Sequence, residues 1–597
     1  MGRSSGEFEV LGDEMTRRIL SLSLLACSIL FGCTHPASST EGAAGNISQP
    51  IPGDWAVVRF ETEADTLNPY TKATDTADRV MVGPNNSNVY ESLLYTDAKD
   101  FKTIQPRLAI SRPEISEDHL TYTFNIRDGV KWHDGTPLTA EDVVFSFKAL
   151  MNPFTDSATV RSYLGDLTNV ELVEGRKVRM TMRKPYFMNE VVLGEFVYIT
   201  PKHIFDPQGM LDGFKFPDII SAQNKTNPKL KEFGEAFNKH PNNRAPIGTG
   251  PFKFEKWDAG KEIVIARNDG YWGEKAHLSK VVYRIITDNT AALTALKSGE
   301  IDFNPRLTPI QYAQQTSGPG FDQQLVKATF TSPIYYYIGW NEERPFFKDK
   351  RVRQALTMLV DRDQIIQSIA FGLGKPIASS FFSGSPDLDT DIKPLPYDPK
   401  RAGELLDEAG WIDHDGDGVR DKDGKPFRFE LQGSSSSSLT KQLIPILKES
   451  FKKAGIDTTE KQIEFTVFTN NMRDHKFDAA MTAWGGDLLF DPYQIWHSNS
   501  IANRGTNFVS FRNAQSDQLI EQARVEFDPA KRKELYRKWQ ELIHDEQPYT
   551  FLYYYVQPAA YQKRFQNVHF LPIRPGYDLT QWFVPKSMQK YDGAGVP

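Results

Sequence analysis

Cysteine is nearly absent from this chain, and the position of the two cysteines limits its chemistry. Both lie near the start of the 597 residues, at Cys27 and Cys33. Residues 34–597 therefore carry no thiol. This excludes disulfide bonds, a cysteine nucleophile and cysteine-ligated zinc from that part of the chain.

Excess positive charge, long apolar runs and catalytic motifs are also missing. The net charge is −7 with a pI near 6.0, so the chain lacks the basic composition that is typical of nucleic-acid-binding proteins. After residue 33 no stretch of about eighteen apolar residues occurs, as a membrane span would need. Neither G-x-S-x-G nor H-E-x-x-H is present, and the 11 histidines show no metal spacing. We expect no enzyme activity, no cofactor and no nucleic-acid partner.

The first residues have the layout of an export signal. Arg17 and Arg18 precede an apolar run from Ile19 to Phe31. The run ends in "LFGC", which resembles a bacterial lipoprotein cleavage site with Cys33 as the lipidated N-terminus. A plain secretory signal, a buried helix and a site ending at Cys27 are alternatives. We expect a membrane-anchored lipoprotein of the periplasm or cell envelope, with a leader and signal over 1–33 and a disordered tether over 34–52.

The remaining chain alternates between strand and helix patterns. "LTAEDVVFSFKAL" predicts a helix with a capping box between Thr139 and Asp142. "YDPKRAGELLDEAGW" predicts a helix capped by Asp398 and ended by Gly410. "TYTFNIRDGVKWHDG" predicts two short strands around a turn at Asp128-Gly129. Aromatic strands are predicted at 332–341 and 549–561, so we expect a mixed α/β protein with more than one lobe.

Several long motifs follow one another in a characteristic order between about residues 55 and 560. They include "DTLNPYT", "VYESLLYTD", "TYTFNIRDGVKWHDGTPLTAEDVVFSF", "IGTGPFKFEKWDAGKEIVIARNDGYWG", "ALTALKSGEIDF", "FFKDKRVRQALTMLVDRDQII", "YDPKRAGELLDEAGW" and "FLYYYV". This series resembles the extracellular solute-binding proteins of family 5, which include the oligopeptide- and dipeptide-binding proteins of bacterial ABC importers.

The resemblance implies a type II periplasmic-binding-protein fold, with two lobes, a hinge of two strand-like crossovers and an extra subdomain on lobe I. It also implies capture of a peptide in a closing cleft, delivery to an ABC permease and ATPase complex at the inner membrane, and a monomeric protein. The same fold binding a sugar, a metal chelate or a peptide-like natural product is the alternative. The expected segments are lobe I at 53–85, 205–325 and 546–597, the extra subdomain at 86–204, and lobe II at 326–545.

The stretch "TAWGGDLLFDP" is the main candidate for ligand binding. Gly485 and Gly486 would let a ligand backbone approach closely, Asp487 would take a hydrogen bond from an ammonium, and Trp484 would provide an amphipathic wall. In relatives a Trp-x-x-Asp at this place holds the α-ammonium of the ligand, which implies that role for Asp487. A simple turn with a self-satisfied acid is the alternative. The apolar residues at 488–490 predict an apolar pocket beside the acid.

Weaker candidates come from other segments. The resemblance places a strand edge that pairs with the ligand backbone near Ala73, Thr74 and Asp75. Tyr554 either faces the cleft or packs in its strand. The cation for a ligand carboxylate is Arg473, Arg504 or Arg512, and the sequence does not distinguish among the three.

One acidic loop has part of a calcium-binding pattern. Asp413, Asp415, Asp417 and Asp421 occupy the first, third, fifth and ninth positions of such a loop. Gly424 stands at the twelfth position, where an EF-hand needs a bidentate glutamate. A tight Asp-Gly hairpin is the simpler prediction.

Overall fold

A computed structural model describes residues 50–71, 75–83, 88–97, 100, 102–486 and 489–591. The predicted signal, Cys33, most of the tether, Ala73, Thr74 and Asp487 lie outside these residues. In the described part of the chain, no helix combines the length and the apolar character that crossing a membrane requires.

Strands and helices are both abundant, which confirms the predicted α/β class. The strands are β1 (Trp55–Phe60), β2 (Leu94–Thr96), β3 (Ile104–Pro106), β4 (Glu114–Ile115), β5 (Thr121–Asn125), β6 (Leu167–Leu172), β7 (Lys177–Met182), β8 (Phe252–Asp258), β9 (Glu262–Arg267), β10 (Lys280–Ile285), β11 (Phe303–Asn304), β12 (Leu325–Trp340), β13 (Gly374–Pro376), β14 (Asp421–Lys422), β15 (Lys425–Pro426), β16 (Arg428–Ser434), β17 (Asp457–Ile463), β18 (Ala479–Gly485) and β19 (Tyr549–Gln562).

The α-helices are distributed along the whole described chain. They are α1 (Asp75–Met81), α2 (Ala140–Met151), α3 (Ala158–Tyr163), α4 (Asn189–Glu195), α5 (Lys202–Phe205), α6 (Phe216–Ile220), α7 (Pro228–Asn238), α8 (Asn289–Ser298), α9 (Pro309–Gln314), α10 (Pro319–Gln324), α11 (Lys350–Met358), α12 (Arg362–Ser368), α13 (Pro399–Glu408), α14 (Ser438–Lys453), α15 (Phe465–Arg473), α16 (Tyr493–Trp496), α17 (Ala514–Arg524) and α18 (Pro529–Glu546).

Local capping signals set the ends of two predicted helices. At α2 the Thr139 backbone N–H donates to the Asp142 carboxylate at 2.8 Å, and the Asp142 N–H donates back to the Thr139 hydroxyl. At α13 the Asp398 carboxylate accepts from the Arg401 N–H at 2.9 Å. Gly410 follows that helix with φ +84°, a left-handed conformation that glycine adopts at little cost. Both capping predictions are confirmed.

Two long strands rich in aromatic residues, β12 and β19, lie near the middle of one large sheet. Its order is β17-β16-β18-β12-β19-β11-β1-β10-β9-β8, and β13 pairs with β19 beside this path. β12 and β19 run antiparallel from the pair Leu325–Gln562 to the pair Gly339–Tyr549. These are the strands that the aromatic runs at 332–341 and 549–561 predicted. They connect the strands of residues 428–485 to those of residues 55–304.

A second, smaller sheet has its own core. Its order is β4-β5-β7-β6, and its buried side chains, such as Phe124 and Val178, pack in one cluster with helix residues as far along the chain as Phe237. This cluster continues past residue 204, where we placed the end of the extra subdomain. The domain limits from the sequence stay predictions.

Aromatic packing fixes the end of β18 that carries the candidate site. Tyr335 and Tyr337 of β12 and Tyr549 of β19 are buried in a cluster with Trp496 and Trp539. The ring of Tyr337 stacks on that of Tyr549 with centroids 3.9 Å apart. Because large aromatic side chains pack with few voids, this cluster gives β18 a rigid support.

Candidate functional site

A cavity of about 610 Å³ lies between two walls. The first wall comes from residues 162–196, beside the small sheet. The second comes from residues 484–506 together with Tyr335 and Arg524. Cavities of this size are typical of sites for small ligands.

The predicted stretch Trp484-Gly485-Gly486 lines this cavity where β18 ends. The indole of Trp484 stacks on Phe508 at 5.3 Å and donates from Nε1 to the Tyr549 hydroxyl at 3.3 Å. The Gly486 N–H donates to the Pro333 carbonyl at 2.6 Å, which continues the pairing of β18 with β12 beyond Gly485. The indole and the glycines are therefore held at the cavity surface. That Asp487 binds the ligand stays a prediction.

Much of the cavity surface is apolar. Leu489 and Phe490 lie on the second wall, and Met182, Met188 and Val192 lie on the first. Apolar side chains at 489 and 490 agree with the predicted apolar pocket. Apolar ligand groups would gain free energy by leaving water here, at roughly 25 cal/mol per Å² buried.

Four of the lining residues connect the two walls, and we call them the latch. They are Tyr186 on the first wall, with Asp491, Tyr493 and Arg524 on the second. The Tyr186 hydroxyl donates to Asp491 Oδ2 at 2.7 Å, and Arg524 Nε forms an ion pair with the same oxygen at 3.0 Å. The guanidinium of Arg524 lies 4.6 Å from the Tyr186 ring and 4.3 Å from the Tyr493 ring.

The carboxylate of Asp491 is bound by three other groups of the protein. Besides Tyr186 and Arg524, the Asp491 carboxylate accepts from the Tyr493 N–H at 3.0 Å, and only 13% of its side chain is exposed. Burial, reinforced by the nearby Asp491 charge, raises the pKa of Tyr186 well above its usual value. Tyr186 is thus neutral at physiological pH and able to donate. We infer that Asp491 closes the walls rather than binding ligand.

Further contacts join the region of the small sheet to α17, α18 and the loop between these two helices. The Phe187 N–H donates to the Arg524 carbonyl at 2.9 Å. The Arg532 guanidinium lies 4.2 Å from the Phe187 ring, and His119 stacks on Phe527 at 3.6 Å. A ligand could not pass between the walls at this place without separating them.

The other sequence candidates lie elsewhere. Tyr554 is 1% exposed, and its hydroxyl donates to the Phe381 carbonyl at 2.6 Å, so it packs in its strand instead of lining the cavity. Asp75 begins α1, and its role in ligand binding stays a prediction.

None of the three candidate arginines lines the cavity. Arg504 pairs with Asp474 at 2.6 Å, Arg512 pairs with Glu343 at 3.2 Å, and Arg473 is exposed at the end of α15.

The acidic loop forms the hairpin that we preferred. Asp423 and Gly424, both with positive φ, connect β14 to β15. The carboxylates of Asp413, Asp415 and Asp417 are exposed and lie within 4.8 Å of one another. Asp421 instead accepts from the His414 backbone N–H at 3.0 Å, with its other oxygen 3.0 Å from His414 Nδ1. Three of the four predicted calcium ligands thus come together, and calcium binding stays a prediction.

Comparison with known proteins identifies the class to which this fold and cavity belong. The model of the bacterial extracellular solute-binding proteins, family 5, middle region, matches residues 103–507. The chain belongs to this family, as the order of its motifs indicated, and it has the fold of periplasmic binding proteins.

Individual relatives differ in the ligand that their names record. The chain is 30% identical over 582 residues to the oligopeptide-binding protein AppA of Bacillus subtilis strain 168, covering 95% of this chain and 98% of that protein. A structure of AppA with a nonapeptide matches with a TM-score of 0.70 and 30% identity, over 90% of this chain and 100% of that one. The nickel-binding periplasmic protein of Escherichia coli K12 is 26% identical over 520 residues, covering 83% of this chain and 92% of that protein.

Proposed function

We propose that this protein captures peptides in the cavity between its two walls and delivers them intact to an ABC permease. The observation that carries the proposal is the position of Trp484-Gly485-Gly486, which lines a partly apolar cavity whose two walls are joined by the latch. A binder of many peptides needs to recognise the shared main chain while accommodating varied side chains. A glycine backbone beside a cavity with both polar and apolar surface meets both needs.

The ligand ammonium is the group that we assign to Asp487. An ammonium–carboxylate hydrogen bond is charge-assisted, and truncating one partner of a desolvated pair of this kind costs more than ~2 kcal/mol. Asp487→Ala is therefore expected to weaken peptide binding at least tenfold. An unchanged dissociation constant in calorimetry would refute the assignment.

The nickel-binding relative supports a second candidate, a metal chelate. Calorimetry distinguishes the two by titrating the wild-type protein with a set of tripeptides and, separately, with nickel–histidine. We expect dissociation constants for the peptides in the micromolar range or lower, and no heat of binding for nickel–histidine. Mass spectrometry of the recovered peptides would show them unchanged, whereas cleaved products would contradict a binding role.

We also propose a cellular location and an oligomeric state for the protein. Cys33 would carry a lipid that anchors the protein in the bacterial envelope, and the protein would meet the permease and its ATPase at the inner membrane as a monomer. Metabolic labelling with a fatty acid in wild type and Cys33→Ser tests the anchor. Loss of label in the variant is expected, and label that persists would contradict the assignment.

A further inference from the structure

One loop of the second wall connects the cavity surface to α15, and we call residues 500–508 the rim loop. Ser500, Gly505 and Thr506 of this loop line the cavity. Phe508, at its end, stacks on the indole of Trp484 with ring centroids 5.3 Å apart. The conformation of the rim loop therefore determines part of the cavity surface and the support of Trp484.

The rim loop has a tight backbone conformation that is unfavourable for two of its residues. Asn503 has φ +56° and Arg504 has φ +59°, in the left-handed region that residues with a Cβ seldom adopt. At Gly505 an added Cβ would overlap the Ser500 carbonyl, to which the Asn507 N–H donates at 3.1 Å. Two successive residues in such a conformation persist only where surrounding contacts hold them in place.

The contacts that hold the rim loop come from the C-terminal end of α15, outside the cavity. Arg504 Nη1 forms an ion pair with Asp474 Oδ1 at 2.6 Å, and Arg504 Nη2 donates to Asn470 Oδ1 at 2.7 Å. The His475 ring faces two backbone carbonyls of the loop, with nitrogen–oxygen distances of 2.9 and 3.4 Å. Arg504 thus connects the tightest part of the loop to the helix.

We propose that Arg504 is a positioning residue, which holds the rim loop in its ligand-binding conformation without touching the ligand. The proposal rests on the function proposed above. Arg504 does not line the cavity, and its two partners belong to α15 and the residue that follows it. Without this connection the loop would have its binding conformation in only a fraction of the molecules, and the apparent affinity falls in proportion to that fraction.

The test uses one tripeptide with apolar side chains, both as its free acid and as its C-terminal amide. Calorimetry gives the affinity and stopped-flow fluorescence the rates for wild type, Arg504→Gln, Arg504→Lys, Asp474→Asn and the double variant Arg504→Gln/Asp474→Asn. Arg473→Gln is the matched control, because Arg473 is an exposed arginine in the last turn of α15 that does not line the cavity.

Arg504→Gln should weaken the binding of acid and amide by the same factor, roughly three- to tenfold, through slower association with little change in dissociation. Asp474→Asn should also weaken binding, and the double variant should be little weaker than Arg504→Gln, because both changes remove the same contact. Arg504→Lys should keep part of the affinity, since one ammonium lacks the forked geometry that reaches two partners. Arg473→Gln should behave as wild type.

Hydrogen exchange in the ligand-free protein tests the loop itself. The Gly505 N–H donates to the Ala502 carbonyl and the Asn507 N–H to the Ser500 carbonyl, each at 3.1 Å. Exchange of these two amides should be at least threefold faster in Arg504→Gln and unchanged in Arg473→Gln. The melting temperature should stay close to wild type, because 51% of the Arg504 side chain is exposed.

Four outcomes would overturn the inference. A loss of affinity confined to the free acid would show that Arg504 binds the ligand carboxylate directly. Unchanged affinity in Arg504→Gln would refute a role in binding, and unchanged exchange would refute its hold on the loop. Independent, additive effects of Arg504→Gln and Asp474→Asn would refute their action as a pair. A wild-type protein that binds neither form of the peptide overturns the proposed function, whereas the exchange measurement judges the loop separately.

Discussion

Removing one hydroxyl from the latch should speed the release of ligand. In wild type the Tyr186 hydroxyl donates to the Asp491 carboxylate across the cavity at 2.7 Å. A hydrogen bond to a charged group contributes roughly 1.5–3 kcal/mol. Tyr186→Phe keeps the ring against Arg524 and removes only this bond. Since about 1.4 kcal/mol corresponds to a factor of ten, ligand dissociation should become roughly 10- to 150-fold faster.

Stopped-flow fluorescence measures this rate directly. Trp484 lines the cavity and provides the signal when bound peptide is displaced by excess unlabelled peptide or diluted. The melting temperature of the variant should stay close to wild type, because Asp491 keeps Arg524 and the Tyr493 N–H as partners. Tyr397→Phe is the control, since this exposed tyrosine does not line the cavity. A Tyr186→Phe variant that releases peptide at the wild-type rate would refute the latch.

Three further predictions concern stability. Gly248→Ala should destabilise the fold by several kcal/mol, because the added Cβ would overlap the Val89 carbonyl. Gly213→Ala is the control and should cost little, because a Cβ at residue 213 meets no atom within 4 Å. Equal melting temperatures of the two variants would contradict this prediction. Burial raises the pKa of Glu195 to about 7 from 4.5, so the folded state keeps a proton that the unfolded state loses and stability falls as pH rises between these values. In Glu195→Gln the melting temperature should therefore fall less than in wild type between pH 5 and pH 7.5, and an identical slope would be the contrary result. Millimolar calcium should raise the melting temperature if the acidic loop binds it, and Asp413→Asn should remove that rise; no rise in wild type would exclude the site.

Local signals predicted helix ends well but strand partners poorly. The capping residues Thr139, Asp142 and Asp398 act on their own backbone neighbours, so a few residues of sequence contain the information. Of the two short strands predicted around the turn at Asp128-Gly129, the first is present as β5 and the second is not formed. β5 pairs with β4 and β7, and beyond the turn Lys131 forms only an isolated bridge with Pro137. Alternating polarity indicates a strand but does not identify its partner.

The same limit applies to the site. Trp484-Gly485-Gly486 was predicted because ring, flexible backbone and acid lie together in sequence. The latch was missed because Tyr186 and Asp491 are 305 positions apart, and neither has a local pattern that indicates the other.

The ligand that copurifies with the protein tests the central claim most directly. The mature protein, expressed in a bacterial envelope and purified without denaturation, would be unfolded in acid and its released small molecules identified by mass spectrometry. We predict intact peptides with free N-termini in near-stoichiometric amount, enriched in apolar side chains. A metal chelate or a sugar in that amount, with peptides absent, would contradict the account.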